Sequence, residues 1–226
     1  MPEASVIRRM FEGVAPRYDF LNRLLSMGID REWRKRVVSL VDLEPDHVVL
    51  DLCCGTGDLA LALAPHAKTI ACDFTWNMLT RARAKSQGAR APFAIASADA
   101  LKLPFADDCF DRATVAFGVR NLEDLSAGLR EIRRVLKPAG RLAVLEFSHP
   151  DRVWLKGPYR MYLRWLLPAM GALFSAKGDA YRYLAESIQG FPEPDVLVEL
   201  FARAGFRDVR YVRLSFGIVA IHIGSK

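Results

Sequence analysis

Three aspartates and a glycine-rich turn hold the most specific chemistry in this sequence. "VVLDLCCGTGDLALALA", residues 48–64, runs from apolar residues through Asp51 and two cysteines into a turn with Gly55 and Gly57. Apolar residues then resume, so the pattern predicts a short buried strand, a tight turn and a helix. Such a turn aims backbone N–H groups at something small and polar. Asp73 ends the next apolar run, sixteen residues beyond Gly57, where an acid accepts hydrogen bonds from both ribose hydroxyls of an adenosine. Asp99, in "ADALKLPF" after a third run, stands where it can accept from the adenine amine. One such acid alone is as readily a turn former or helix cap. Three of them beside a glycine turn make a nucleoside cradle.

Other ligands fit less well. A dinucleotide fingerprint wants G-x-G-x-x-G, and Ala60, an accepted variant, takes the third position here, which keeps a nicotinamide-dependent oxidoreductase open. "GTGDLA" lacks the Gly-Lys-Ser/Thr ending of a P-loop. Cys53 and Cys54 are adjacent and point to opposite faces of a strand, and Cys72 and Cys109 complete no ligand spacing, so no metal is expected. The cysteines read as small buried hydrophobes.

The elements that must position these residues alternate. Strands are predicted near Val48–Cys54, Thr69–Phe74, Phe93–Ala98, Asp111–Phe117 and Gly140–Phe147, with helices at Asp58–Ala64, Trp76–Gln87 and Leu122–Leu136. "KPAG" stops the last of these helices. Alternation of this kind gives a parallel sheet with helices on both faces, an α/β fold. A helix near Pro194–Ala204 precedes two strand-like runs, "FRDVRYVRLSFG" and "IVAIHIGSK", joined too tightly to be anything but antiparallel. Residues 5–41 read as a helical segment, and roughly 149–193 as an insertion, all within one domain spanning 1–226. With 51% hydrophobic and 26% charged residues the composition is globular, and the net charge of +6 permits an anionic partner without requiring one. No signal-peptide core or membrane span is seen, and four cysteines make no disulfide framework, so the cytoplasm is the expected compartment. Nucleic acid is not an expected partner, since no basic cluster interleaves with stacking aromatics. A homo-oligomer stays open.

"LDLCCGTGDLA", "ACDFTWNML", "ADALKLPFADDCFD" and "REIRRVLKPAGRLAVLEFS" resemble the successive motifs of S-adenosylmethionine-dependent methyltransferases of the Rossmann-like, seven-stranded class. That fold has one antiparallel strand in a mostly parallel sheet, which matches the terminal hairpin. "YDFLNRLLSMGIDREWR", "AFGVRNLED", "RVLKPAGRL", "YRYLAESI" and "FGIVAIHIG" narrow the resemblance to the ubiquinone/menaquinone biosynthesis C-methyltransferase family (UbiE/MenG type), from about Phe11 to Gly224. The chain departs from that pattern at Asp30, where the family usually carries His, and at Ala139, where a second glycine is usual. Asp30 is expected to cap the helix "DREWRKRVV".

The resemblance implies S-adenosylmethionine as cofactor and a polyprenyl quinol as acceptor, methylated on a ring carbon. It implies cofactor contacts at Asp51, Gly55, Thr56, Gly57, Asp73, Phe74, Asp99 and Ala100, and substrate contacts at Tyr18, Phe117, Tyr181 and Tyr183. Ring carbon becomes nucleophilic when a hydroxyl proton leaves, so a base, a water relay or an oxyanion stabiliser is needed. "AFGVRNLED" follows the fourth strand and places Arg120 and Asn121 as the catalytic candidates. Arg120 stays protonated and cannot be a neutral base; it can hold a water or stabilise the oxyanion, with Asn121 as a second donor. The competing reading pairs Arg120 with an acid and makes Asn121 a helix cap. "RVWLKGPYRMYLRWLLPAMGALFSAKG" combines five basic residues, two Trp and two Tyr with no acid. A helix from Pro158 would put Arg160 and Arg164 on one face and suit transient contact with the membrane surface, although packing over the sheet or in a subunit contact explains it equally. A methyltransferase acting on another acceptor, such as a phospholipid amine, shares every cofactor motif.

Overall fold

Apolar runs bounded by turn residues become a seven-stranded sheet in the computed structural model, which describes residues 7, 10–13, 18–166 and 178–226. The side chains at 21, 24, 166 and 178–181, Tyr181 among them, lie outside the described residues. The strands are β1 (Val48–Leu52), β2 (Lys68–Asp73), β3 (Ala94–Ser97), β4 (Phe110–Ala116), β5 (Leu136–Phe147), β6 (Arg207–Leu214) and β7 (Val219–Ser225). Their order is β3-β2-β1-β4-β5-β7-β6. Strands β1 to β5 pair in parallel, and β7 runs antiparallel between β5 and β6. Strand order therefore reverses beside β1, between β2 and β4. Ligands of open parallel sheets bind at that point, outside the carboxyl ends of the strands.

The central strands bury both faces, while the edge strands β3 and β6 do not. Leu50 and Leu52 of β1 join a core with Leu129, Ile132, Leu197 and Phe201 from α5 (Leu125–Val135) and α8 (Pro194–Arg203). Val49 points the other way, against Trp33 and Val37 of α2 (Asp30–Leu40), its C-cap residue Val41, and Leu59 and Leu63 of α3 (Asp58–Leu63). The spacing of Trp33, Val37 and Val41 is one helical stripe, as packing on a sheet requires. Helix α1 (Tyr18–Leu25) precedes α2, and α4 (Trp76–Gln87) covers β2 and β3.

Three boundaries differ from the sequence reading. Helix α5 starts at Leu125 because Asp124, not Asn121, caps it: its Oδ1 accepts from the Ala127 N–H at 2.8 Å. Strand β5 begins at Leu136 and absorbs "KPAG" as an irregularity, with Ala139 in the left-handed region at φ 62°. In the insertion, α6 spans Val153–Met161 with Pro158 inside it, followed by a π turn at Tyr162–Leu166 and, beyond the undescribed stretch, α7 (Gly178–Gln189). Proline forfeits a helical bond there, but Leu155, Tyr159 and Leu163, four residues apart, all face one cavity, and that packing holds the helix past it.

Asp51 is an acid inside this apolar scaffold. It shares the Val49 face, its Oδ1 accepts from the Thr114 hydroxyl at 2.9 Å, and its Oδ2 has no partner among the described residues. Burial raises its pKa to about 7. The folded protein thus holds a proton that the unfolded chain releases near 3.8, so stability must fall as pH rises from 3.8 through about 7. Burial pushes Asp73 and Glu146 upward in the same sense. Denaturant titrations across that window should show this decline in the parent and a shallower one in Asp51→Asn; equal slopes would contradict the assignment to Asp51.

Candidate active site

The glycine turn after β1 is forced into shape by its backbone. Cys53, Gly55 and Gly57 have φ of 54°, 56° and 85°. A Cβ on Gly57 would stand 2.9 Å from the Phe93 ring and 3.2 Å from Ala82, so this glycine lets the turn pack against α4 and the Phe93 ring. Gly55 instead opens into a cavity of about 380 Å³, where a Cβ would meet only the Tyr18 ring edge at 3.8 Å. Asp73 braces the turn from β2, accepting the Gly55 N–H at 2.9 Å on Oδ2 and the Thr75 N–H at 2.8 Å on Oδ1. Each oxygen keeps a further lone pair for a ligand hydroxyl. Burial raises the Asp73 carboxyl and these N–H groups hold it down.

Phe74, Asp99 and Ala100 line the same cavity, with Asp99 Oδ1 tied to the Leu101 N–H at 2.9 Å. A paired acceptor on Asp73, an exposed acid on Asp99 and a glycine without side chain are the features that adenosine demands, and the cavity fits the nucleoside of S-adenosylmethionine. Three predicted cofactor residues face elsewhere: Gly57, packed as described, Thr56 and Asp51. The Thr56 hydroxyl donates to Asp19 at 2.5 Å and accepts from Lys85 at 2.9 Å. Lys85 also bridges Asp19 and Asp58, so this cluster ties α1 to the turn. Asp51 lies below the turn, off the cavity wall.

A second cavity of about 410 Å³ adjoins the first. Its walls are mostly apolar, including Leu25, Trp33, Phe147, Tyr159 and Leu163. Phe11, Tyr18 and Phe117 line both cavities and form the seam between them. Phe117 holds its place with φ of 58°, an uncommon conformation for an aromatic residue. Burial raises the Tyr18 phenol above its ordinary range.

Arg120 and Asn121 follow from the short 3₁₀ turn Val119–Asn121 and face different cavities. Arg120 lines the apolar one. Its Nη1 donates to the Phe117 carbonyl at 2.6 Å and to Glu146 Oε1 at 2.8 Å, and its guanidinium lies 5.5 Å over the Phe147 ring. The Arg120 Nε has no partner among the described residues. Arg120 thus pairs with an acid, and its side chain still lines the apolar cavity. Asn121 lines the nucleoside cavity, and its Oδ1 accepts from the Tyr183 hydroxyl at 2.9 Å, which links it to the apolar cavity that Tyr183 lines. Asn121 is not a cap.

The sequence reading missed Glu146, although an acid inside the run "LAVLEF" was a visible irregularity. It also misplaced Asp30. The N-cap of α2 is Ile29 and makes no side-chain bond, while the Asp30 carboxylate turns sideways to Arg34 and to the Ser26 hydroxyl, at 2.9 Å from the latter. All three residues line the apolar cavity. Together the cavities set a polar nucleoside site against an apolar acceptor site across one aromatic seam, which is the layout of group transfer between unlike molecules.

Comparison with known proteins agrees. The model of the ubiE/COQ5 methyltransferase family matches residues 2–226. A demethylmenaquinone methyltransferase of Thermus thermophilus is 48% identical over 220 residues, covering 96% of this chain and all of that protein. A ubiquinone/menaquinone biosynthesis C-methyltransferase of Geobacter sulfurreducens is 44% identical, covering 97% of this chain and 88% of its own. Among solved structures, an S-adenosylmethionine-dependent methyltransferase of Thermotoga maritima superposes with a TM-score of 0.69 at 20% identity, over 96% of this chain and 99% of its own, a likeness of fold. On this evidence the chain belongs to the ubiE/COQ5 methyltransferase family.

Proposed function

We propose that this protein methylates a ring carbon of a polyprenyl quinol, with demethylmenaquinol as the acceptor that the relatives' names indicate. The observation that carries this reading is the apolar cavity that shares Phe117 and Tyr18 with the nucleoside cavity. Bound S-adenosylmethionine would supply an electrophilic methyl: a carbon–carbon bond to the ring would form as the carbon–sulfur bond breaks, and the ring hydrogen it replaces would leave as a proton to water, restoring the aromatic ring. Asp73 holds the ribose, Asp99 approaches the adenine, and the seam residues align the ring with the methyl. Arg120, on the wall of the apolar cavity, stabilises the oxyanion left when a quinol hydroxyl yields its proton to water. Glu146 and the Phe117 carbonyl fix that guanidinium in place.

The outer edge of the acceptor cavity suits a substrate that resides in a bilayer. Leu155 and Pro158 of α6 line the cavity, while Trp154 and Val153 beside them are 67% and 83% exposed. Trp154 meets Phe216, itself 62% exposed, at 6.2 Å between ring centroids, and Met27 on the cavity wall is 84% exposed. Arg152, Lys156, Arg160 and Arg164 are exposed on the same segment. Aromatics at headgroup depth with basic residues among anionic lipids describe an interfacial helix. Among the described residues no helix is long and apolar enough to cross a membrane. This supports peripheral contact on the inner face, with the prenyl tail leaving the cavity past α6. A phospholipid amine is the weaker acceptor, because the cations Arg34 and Arg120 already stand over Phe117 and Phe147, where an ammonium would need to sit.

Purified protein given S-adenosylmethionine and vesicle-borne demethylmenaquinol should form menaquinol, faster from anionic than from neutral vesicles. Methylated phosphatidylethanolamine in place of menaquinol would overturn the acceptor assignment. Asp73→Ala should weaken S-adenosylmethionine binding by more than about tenfold, since two hydrogen bonds to a charged acceptor are worth ~1.5–3 kcal/mol each. Unchanged affinity by calorimetry, with circular dichroism intact, would remove Asp73 from the ribose. Arg120→Ala should bind the cofactor almost normally yet transfer methyl on the order of a hundredfold more slowly. Arg120→Lys keeps a charge for Glu146 but loses the planar fork, so it should recover the fold and only part of the rate. Parental turnover in both Arg120 variants would place the oxyanion elsewhere.

A further inference from the structure

Two buried arginine–carboxylate pairs face the acceptor cavity, and only one of them has entered the mechanism above. Asp30 is 4% exposed and Arg34 8%, both on the wall of a cavity that is otherwise mostly apolar. A desolvated ion pair adds little net stability over apolar residues of similar volume, so its place on a ligand cavity calls for another account. The pair also stands in a definite relation to Arg120. The Arg34 guanidinium lies 5.8 Å over the Phe117 ring, Phe117 and Phe147 are 4.7 Å apart, and Arg120 lies 5.5 Å over Phe147. The two guanidinium groups therefore stand over neighbouring aromatic rings on the wall of one cavity.

What the two ends offer a ligand differs. At the Arg120 end the cavity wall carries a hydrogen-bond donor, the guanidinium. At the Arg34 end the carboxylate of Asp30 accepts from Arg34 on Oδ2 and from Ser26 on Oδ1, and each oxygen retains a lone pair. A quinol that has lost one proton carries an oxyanion on one side of the ring and a hydroxyl on the other. It is an acceptor at one end and a donor at the other, the complement of Arg120 and Asp30. An oxidised quinone has two carbonyl oxygens and would set one of them against the carboxylate.

We infer that Asp30, fixed by Arg34 and Ser26, accepts the hydrogen bond of the quinol's second hydroxyl and makes the cavity selective for the reduced ring. The inference rests on the quinol reading of the acceptor. A carboxylate that faces a carbonyl leaves an unpaired acceptor in a desolvated site, and a preference for quinol over quinone on the order of tenfold or more follows. An amide at this position can donate to a carbonyl, so Asp30→Asn should lose the preference.

Anaerobic calorimetry on the full chain with S-adenosylhomocysteine present tests this, using a short-prenyl 1,4-naphthoquinol and its quinone as probes. The parent should bind the quinol more tightly, Asp30→Asn should bind the two about equally, and Asp30→Glu should restore the order. Because Asp30→Asn leaves Arg34 buried without its partner, Asp30→Asn combined with Arg34→Met supplies a second variant without that charge, and it too should lose the preference. A preference kept in both variants, or absent from the parent while both probes bind, overturns the role of Asp30 and leaves the quinol reading standing. Failure of the quinol to bind the parent overturns the quinol reading, and this inference with it.

Discussion

The close approach of two backbones at the sheet's reversal point governs the site. Strand β4 pairs with β1 in parallel, so the turn after each emerges at the same edge. A Cβ on Gly118 would lie 2.4 Å from the Cys53 Cβ, and only glycine lets the two turns touch. From that contact the rest follows. The β1 turn presents Gly55 to the nucleoside cavity, the β4 turn presents Asn121 to it and Arg120 to the other, and Phe117 is left on the seam. Separating the turns would separate donor from acceptor. Alignment of the reacting atoms is the larger part of what an enzyme must supply when the methyl is already electrophilic.

Charge is handled differently on the two sides of that seam. The nucleoside side uses single acids satisfied by backbone N–H groups, as at Asp73, which leaves room for neutral hydroxyls. The acceptor side uses arginines tied to buried acids, Glu146 behind Arg120 and Asp30 beside Arg34. Burial pushes Glu146 upward, and the Arg120 guanidinium is the main influence that holds it down. Each arginine is thereby neutralised as a pair while it still directs donors or a partner carboxylate into an apolar space. A lone cation there would repel a second and attract water; a paired one orients without either cost.

Local signals made the sheet legible. Helix α4 occupies the range Trp76–Gln87 that periodicity indicates, and strands β1 to β4 fall within two residues of their expected ends. The errors lie where tertiary contacts override local rules. "KPAG" is a strand irregularity because β4 and the C-terminal Lys226, bonded to Gly140, hold it in the sheet. Pro158 sits inside a helix because the acceptor cavity supplies apolar neighbours on its inner side. That Asp73 and Asp99 share a cavity with Gly55 was legible because acids after successive parallel strands meet at one sheet edge; Asp51, inside its strand, lies off that cavity. Asp30 and Arg34 were not: an acid that opens a basic helix looks like a cap, and nothing local says that its carboxylate turns toward Ser26. Glu146 pairs with a residue twenty-six positions away, a separation that no window over the sequence captures.

The central claim is that one seam, Phe117 with Tyr18, joins a nucleoside cavity to an acceptor cavity. It is tested most directly by a crystal structure of the protein with S-adenosylhomocysteine and a short-prenyl naphthoquinol. The account predicts the thioether sulfur at the seam, with the ring's unsubstituted carbon facing it from the apolar side and the quinol oxygen at the Arg120 side chain. A naphthoquinol ring bound outside the cavity of Trp33, Phe147 and Tyr159, or a sulfur turned away from Phe117, would contradict it.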